Sequence, residues 1–258
     1  MSPMDSRESI KINRLLQAWP RGTVALHAFL ARHGVSRKLA EQYRKRGWID
    51  PVGVGAFVRR GDKVAWQGAL YALQCYAGKA VHPGGRTALE LSGLAHYLRF
   101  GPKRRVDLYG PPGLRLPRWL TQHDWDVALR YFGTSLLDVK AGTTAMEFGE
   151  FSLTVSTPER AMLEVLDGVP RIADFDEARQ LMEGLPTLRP KLVQQLLEDC
   201  TSVKAKRLFL HLADATGMPW RAALDEARID LGTGKRQVVA GGRLDARYGI
   251  TVPKDSGA

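Results

Sequence analysis

Residues 23–60 read TVALHAFLARHGVSRKLAEQYRKRGWIDPVGVGAFVRR, and this stretch decides the fold of the N-terminal part. Thr23 reads as an N-cap, and Val24, Leu26, Phe29 and Leu30 then fall on one face of a helix that Gly34 ends. Val35-Ser36 leaves only a short connection. Ser36 is a second N-cap, and the next helix is expected over residues 37–46, stopped by Gly47. Two short helices joined by a tight, glycine-containing turn make a helix-turn-helix. From Trp48 to Arg60 the chain reads as two short strands around a glycine turn, which adds a wing. A winged helix-turn-helix is therefore expected.

The second helix carries the functional reading. At about 100° per residue, Leu39 and Tyr43 point one way, with Ala40 and Gln42 beside them. Arg37, Lys38, Glu41, Arg44 and Lys45 point outward, four cations against one anion. Arg37 and Lys38 also occupy the first turn, where the helix dipole disfavours cations by a few tenths of a kcal/mol each. Local stability does not account for them there, whereas contacts to phosphates or guanine edges do. The candidate DNA-binding residues are Ser36, Arg37, Lys38, Glu41, Arg44 and Lys45 on this helix, with Arg59 and Arg60 at the end of the wing. Charge distribution agrees. Residues 1–63 hold 13 basic and 5 acidic residues, a net +8 of the +11 carried by all 258. A basic excess confined to one small module is the footprint of a polyanion binder.

Outward from this module, residues 7–19 have helical spacing of Ile10, Leu15 and Leu16, ending at Pro20-Arg21-Gly22. His27 and His33 are expected to pack or cap. Trp66, Ala69, Leu70, Leu73 and Ala77 predict a helix over 66–77, with Cys75 in or near its core. A turn at Pro83-Gly84-Gly85 precedes a helix expected over 86–98. The texture changes near residue 99. Strands are expected over 105–109, 125–132, 143–148 and 151–156, with Gly149-Glu150 a hairpin turn. Thr157-Pro158-Glu159 starts a helix, and helices are expected near 158–167, 174–184, 189–199 and 202–215. Residues 235–252 look like a hairpin turning at Ala240-Gly241-Gly242. The fold class is α+β. A winged helix-turn-helix domain with supporting helices over 1–98 is expected before a mixed α+β domain over 99–258.

Chemistry of other kinds is scarce. Gly234-Lys235-Arg236 lacks the first glycine and the hydroxyl of a P-loop, and no HExxH or GxSxG occurs. The histidines lack metal-ligand spacing, and Cys75 and Cys200 stand far apart outside any CxxC pair. Asp124-Trp125-Asp126 is a carboxylate pair that could hold a divalent metal, but no phosphate loop precedes it and a loop role is expected. No enzyme activity, cofactor or metal is expected. The polar start, Met1 to Glu8, and the lack of any run of about 18 apolar residues point to the cytoplasm, with no membrane contact. A candidate second basic surface comprises Lys204, Lys206 and Arg207 at a helix start, with Lys235, Arg236, Arg243 and Arg247 in the final hairpin.

Several motifs together resemble one family. They are the winged module, Val81-His82-Pro83-Gly84-Gly85-Arg86-Thr87-Ala88-Leu89-Glu90-Leu91, Ser156-Thr157-Pro158-Glu159-Arg160-Ala161 and Ser202-Val203-Lys204-Ala205-Lys206-Arg207. Gly241-Gly242-Arg243-Leu244-Asp245 and Tyr248-Gly249-Ile250-Thr251-Val252-Pro253 complete the set. In this order the chain resembles the AbiEi antitoxins of type IV toxin–antitoxin systems over nearly its whole length. The resemblance implies that the N-terminal module binds inverted repeats in the operon's own promoter and represses it. It also implies that the C-terminal domain counteracts a nucleotidyltransferase toxin without requiring a stable complex, and suggests a nucleic-acid contact for the second basic surface. The residues themselves leave two alternatives open: a plain winged-helix regulator with a ligand-sensing or dimerisation domain, and a nucleic-acid enzyme using Asp124 and Asp126.

Overall fold

The computed structural model describes residues 6–95 and 104–254. The N-terminal unit begins with α1 (Ser6–Ala18), β1 (Ala25–Leu26), α2 (His27–Arg32) and α3 (Arg37–Lys45), and continues with β2 (Ile49–Gly53) and β3 (Ala56–Arg59). The strands form one antiparallel sheet in the order β1-β3-β2. That is a winged helix-turn-helix. Its core buries Ile12 and Leu15 of α1, with Trp19 just after it, against Phe29, Leu30, Val35, Ala40, Tyr43, Ile49 and Phe57.

Three expectations change here. Thr23 is not an N-cap: it is buried, and its hydroxyl donates to the Pro20 carbonyl at 2.7 Å. Residues 25–26 instead pair with Ala56 and Phe57, so the helix starts at His27 without a side-chain cap. Ile10 is 51% exposed, because the buried stripe of α1 runs through Ile12 and Leu15 toward Trp19 just after the helix. The segment 66–77 is α4 (Trp66–Tyr71) continued by a π-helical turn over Ala72–Tyr76, which leaves Cys75 exposed rather than in the core.

After α4 come β4 (His82–Pro83) and α5 (Gly85–Leu91), then β5 (Arg104–Gly110), α6 (Arg118–Gln122) and β6 (Val127–Gly133). The sheet order is β4-β5-β6, with β5 and β6 parallel. The expected helix over 86–98 ends at Leu91, and residues 96–98 lie outside the described residues. β7 (Thr143–Phe148) and β8 (Phe151–Ser156) form the expected hairpin. Asp124 and Asp126 sit in a tight turn before β6, where Asp126 has φ +57° and its N–H donates to Asp124 Oδ1. Among the described residues no group of three metal-ligating side chains exists, and no helix is long and apolar enough to cross a membrane.

The helices α7 (Pro158–Gly168), α8 (Phe175–Glu183), α9 (Pro190–Asp199) and α10 (Val203–Ala215) follow as the sequence predicts. They build the largest core, from Met162, Leu163 and Leu166 through Leu196, Leu208, Phe209 and Leu212. Ala88 and Leu89 of α5 belong to this core, and β4 pairs with β5. Residues 82–91 thus pack with the elements that follow residue 103, although the expected division after residue 98 groups them with the first unit. The last segment departs from a simple hairpin. β11 (Ile250–Val252) lies between β10 (Arg243–Asp245), antiparallel, and β9 (Arg236–Gln237), parallel, so the tight turn falls at 246–249.

The two units share a third core. Val24, Ala56, Trp66 and Leu70 from the first meet Val106, Leu108, Trp119, Leu120, Leu153 and Val155 from the second. Polar hooks add register. Gln74 donates to the Thr154 carbonyl at 2.9 Å and accepts its N–H at 3.0 Å, and Glu150 accepts the Arg21 N–H at 2.9 Å.

Candidate nucleic-acid interface

α3 is built to hold its polar face outward. Ser36 Oγ accepts the Leu39 N–H at 3.2 Å, while Ala40 and Tyr43 are buried. The Ser36 hydroxyl proton stays available to an acceptor at the helix start. Arg37, Lys38, Glu41, Arg44, Lys45 and Arg46 are all exposed, and the first turn contains no acid. Among the described residues Arg37, Lys38 and Lys45 form no ion pair. Arg44 differs, because its guanidinium holds both Glu41 carboxylate oxygens, at 2.9 and 2.6 Å. That contact pushes Glu41 below, and Arg44 above, their ordinary pKa values. The free positive charge of the helix therefore concentrates at its two ends.

His27 joins the helix to the wing. Its backbone N–H donates to the Gly55 carbonyl at 3.1 Å, and its ring meets Phe57 edge-on at 5.2 Å. Burial and the nearby Arg37 charge both hold its pKa below the usual histidine value, so the ring is neutral near pH 7. His33 is the C-terminal cap residue of α2 and lies 4.6 Å from the Phe29 ring. The wing tip is Val54, fully exposed, followed by Gly55 at φ +77°.

The end of the wing is not the free cation pair that the sequence suggests. Arg59 lies half-buried, donating to the Leu16 carbonyl at 2.5 Å with its guanidinium 5.7 Å from the Trp19 ring centroid. It ties the wing to α1. Arg60 is exposed but pairs with Asp50 at 3.0 Å.

The second basic surface is not formed as expected. Lys206 and Arg207 are only 3% and 6% exposed. Arg207 donates to the carbonyls of Leu231, Gly232 and Gly234 at 2.7, 3.0 and 2.6 Å, so a guanidinium organises the loop beneath it. Lys204 donates to the Asp167 and Val169 carbonyls at 2.7 and 2.6 Å. Those carbonyls close the end of α7, and this explains a cation in the first turn of α10 without any external anion. Arg247 pairs with Asp214 and Glu226, and Arg236 donates to the Lys235 carbonyl. Lys235 and Arg243 stay exposed.

A buried charge network, which sequence periodicity does not signal, holds α7 to β4 and α5. The Glu164 carboxylate accepts from His82 Nε2 at 3.1 Å, the Gly85 N–H at 2.8 Å, Ser156 Oγ at 2.9 Å and Arg160 Nε at 2.8 Å. Burial raises its pKa, but the His82 hydrogen bond and the His82 and Arg160 charges outweigh that, leaving it below the ordinary value. Every lone pair is engaged, as a buried carboxylate requires. This network is structural glue between segments far apart in sequence.

Comparisons with known proteins agree with this architecture. Residues 8–100 match a family model described as the N-terminal domain of the transcriptional regulator AbiEi antitoxin. Residues 103–253 match one described as a transcriptional regulator, AbiEi antitoxin, of a type IV TA system. Among solved structures, the chain is similar to the RV2827C protein from Mycobacterium tuberculosis, with TM-score 0.56 and 16% identity over 96% of this chain and 92% of that one. At that identity the likeness speaks for the fold alone. No curated protein matches the chain.

Proposed function

Since the chain belongs to the AbiEi antitoxin family of type IV toxin–antitoxin systems, we propose that it is an antitoxin that represses its own operon. α3 enters the major groove of inverted repeats in the promoter, with Arg37, Lys38 and Lys45 on phosphates or base edges. The observation that carries this reading is the pair of exposed, unpaired cations in a first turn that holds no acid. They oppose the helix dipole, and a polyanion reverses the sign of that cost. Glu41 holds Arg44 in a fixed orientation, so Arg44 reaches a base edge only if that pair opens or is shared.

The chain acts in the cytoplasm and performs no catalysis of its own. Residues 1–98 carry DNA binding and residues 99–258 carry toxin neutralisation, with the 82–91 segment packed on the second unit. The toxin is a nucleotidyltransferase, countered without a stable complex.

Two measurements test this. A DNase I footprint on the region upstream of the gene should protect inverted repeats. Separately, the full chain bearing Arg37→Ala, Lys38→Ala, Arg44→Ala and Lys45→Ala, expressed from an unrelated promoter, should still rescue cells from the toxin encoded beside it. Loss of rescue in a variant that folds normally would overturn the division of labour.

A further inference from the structure

The surface beside the wing is completed by a helix from the second unit. Gly53 closes β2, and a Cβ there would stand 2.7 Å from Trp119 Cβ and 3.0 Å from Trp119 Cα. The wing backbone and α6 are therefore in direct van der Waals contact, and only glycine permits it. α6 is itself anchored. Trp119 and Leu120 are buried in the core shared by the two units, and the Leu120 carbonyl accepts Trp125 Nε1–H at 2.7 Å. The helix is thus fixed relative to the wing.

Two guanidinium groups stand at this point. Arg118 precedes Trp119, so its Cα is about 3.8 Å from the Trp119 Cα. Arg115 lies three residues earlier. Both are exposed, and neither makes a side-chain hydrogen bond or ion pair among the described residues. The wing itself offers an apolar tip, Val54, while Arg59 is locked on α1 and Arg60 on Asp50. At the tip end of β2, beside Gly53, further unengaged positive charge comes from α6 and the loop before it. In sequence, Asp124 and Asp126 follow the C-terminal end of α6.

The geometry points to a duplex interface that continues from the wing onto the 115–118 segment, where Arg115 and Arg118 contact backbone phosphates flanking the bases faced by α3. This rests on the DNA-binding reading above. It assigns the second unit a share of the DNA contact. Duplex DNA carries a negative charge about every 1.7 Å of axis, so an interface extended past the wing tip meets further phosphates without requiring sequence information there.

The test is a set of anisotropy titrations of the full chain against its own promoter duplex at several salt concentrations. Wild type is compared with Arg115→Ala/Arg118→Ala, with Arg115→Lys/Arg118→Lys, with Arg37→Ala/Lys38→Ala and with the remote control Lys191→Ala. Losing two phosphate contacts should reduce the salt slope by about 1.8 and weaken binding about tenfold or more. The lysine pair should keep the wild-type slope, since a phosphate contact needs charge rather than a planar fork. All variants should match wild type in thermal melting. If Arg37→Ala/Lys38→Ala weakens binding while Arg115→Ala/Arg118→Ala behaves like Lys191→Ala, the extension onto α6 is overturned and the DNA-binding reading stands. If wild type itself shows no binding to the promoter duplex, both are overturned together.

Discussion

Arg37 and Lys38 stand where the α3 backbone presents its unpaired N–H groups, so each is there at a small electrostatic cost. Arg44 and Lys45, one turn further on, differ sharply in partnership. This predicts an order of effects. Lys45→Ala should lower the salt slope of DNA binding by about one unit, and Arg44→Ala by less, because Glu41 already neutralises Arg44. Glu41→Gln should strengthen binding, since it removes an anion from the face and frees Arg44; weakened binding would mean that Glu41 positions Arg44 productively. A different residue-scale prediction concerns Glu164. Its folded carboxyl lies below 4.5, so the stability it contributes is complete above that pH and is lost as the pH falls through the lower folded value. Urea unfolding between pH 7 and pH 3 should show an acid limb that flattens in Glu164→Gln, and an unchanged limb would assign acid sensitivity elsewhere. Glu164→Ala should cost about 3–5 kcal/mol at neutral pH, because it leaves Arg160 buried without its anion. The outward cations of α3 were legible because helical period alone places them. Arg59 was not, since its burial depends on Leu16 and Trp19, some forty residues earlier. Arg207 was misread for the same reason: its carbonyl partners lie 24 to 27 residues away.

At the scale of elements, most helices and long strands follow from local pattern, and the short strands do not. β1 has two residues and exists through pairing with β3 some thirty positions on, so Val24 to Leu26 imitates a helix start. The C-terminal strands are a related case, because the parallel pairing of β9 with β11 is invisible to turn signals. The π-helical turn over 72–76 places Gln74 on the β8 backbone and Cys75 outside the core, which periodicity over 66–77 cannot anticipate. Close approaches between elements are equally non-local. A Cβ on Gly68 of α4 would lie 1.8 Å from the Gly22 carbonyl oxygen. Gly68→Ala should therefore destabilise by about 1–3 kcal/mol or more, although alanine favours an isolated helix. A melting temperature equal to wild type would show that the loop before β1 can yield.

At the scale of the whole molecule, the two units are joined by a common apolar core rather than by a linker. Its members are scattered along the chain between residues 24 and 155, so local signals do not assemble it even though each residue is identifiable as apolar. The fold class and the outward basic face of α3 are readable in the sequence. The buttressing of the wing by Trp119 is not, because nothing local ties residue 53 to residue 119. The proposed function makes one demand on this architecture: the exposed cations of α3 must meet DNA. The measurement that tests this most directly is the salt dependence of full-chain binding to its own promoter duplex, between about 50 and about 200 mM salt. With Arg37, Lys38, Arg44 and Lys45 all replaced by alanine, affinity should fall steeply and the slope should drop by roughly two to four units. Unchanged affinity and slope in that folded variant would contradict the assignment of α3 as the recognition helix.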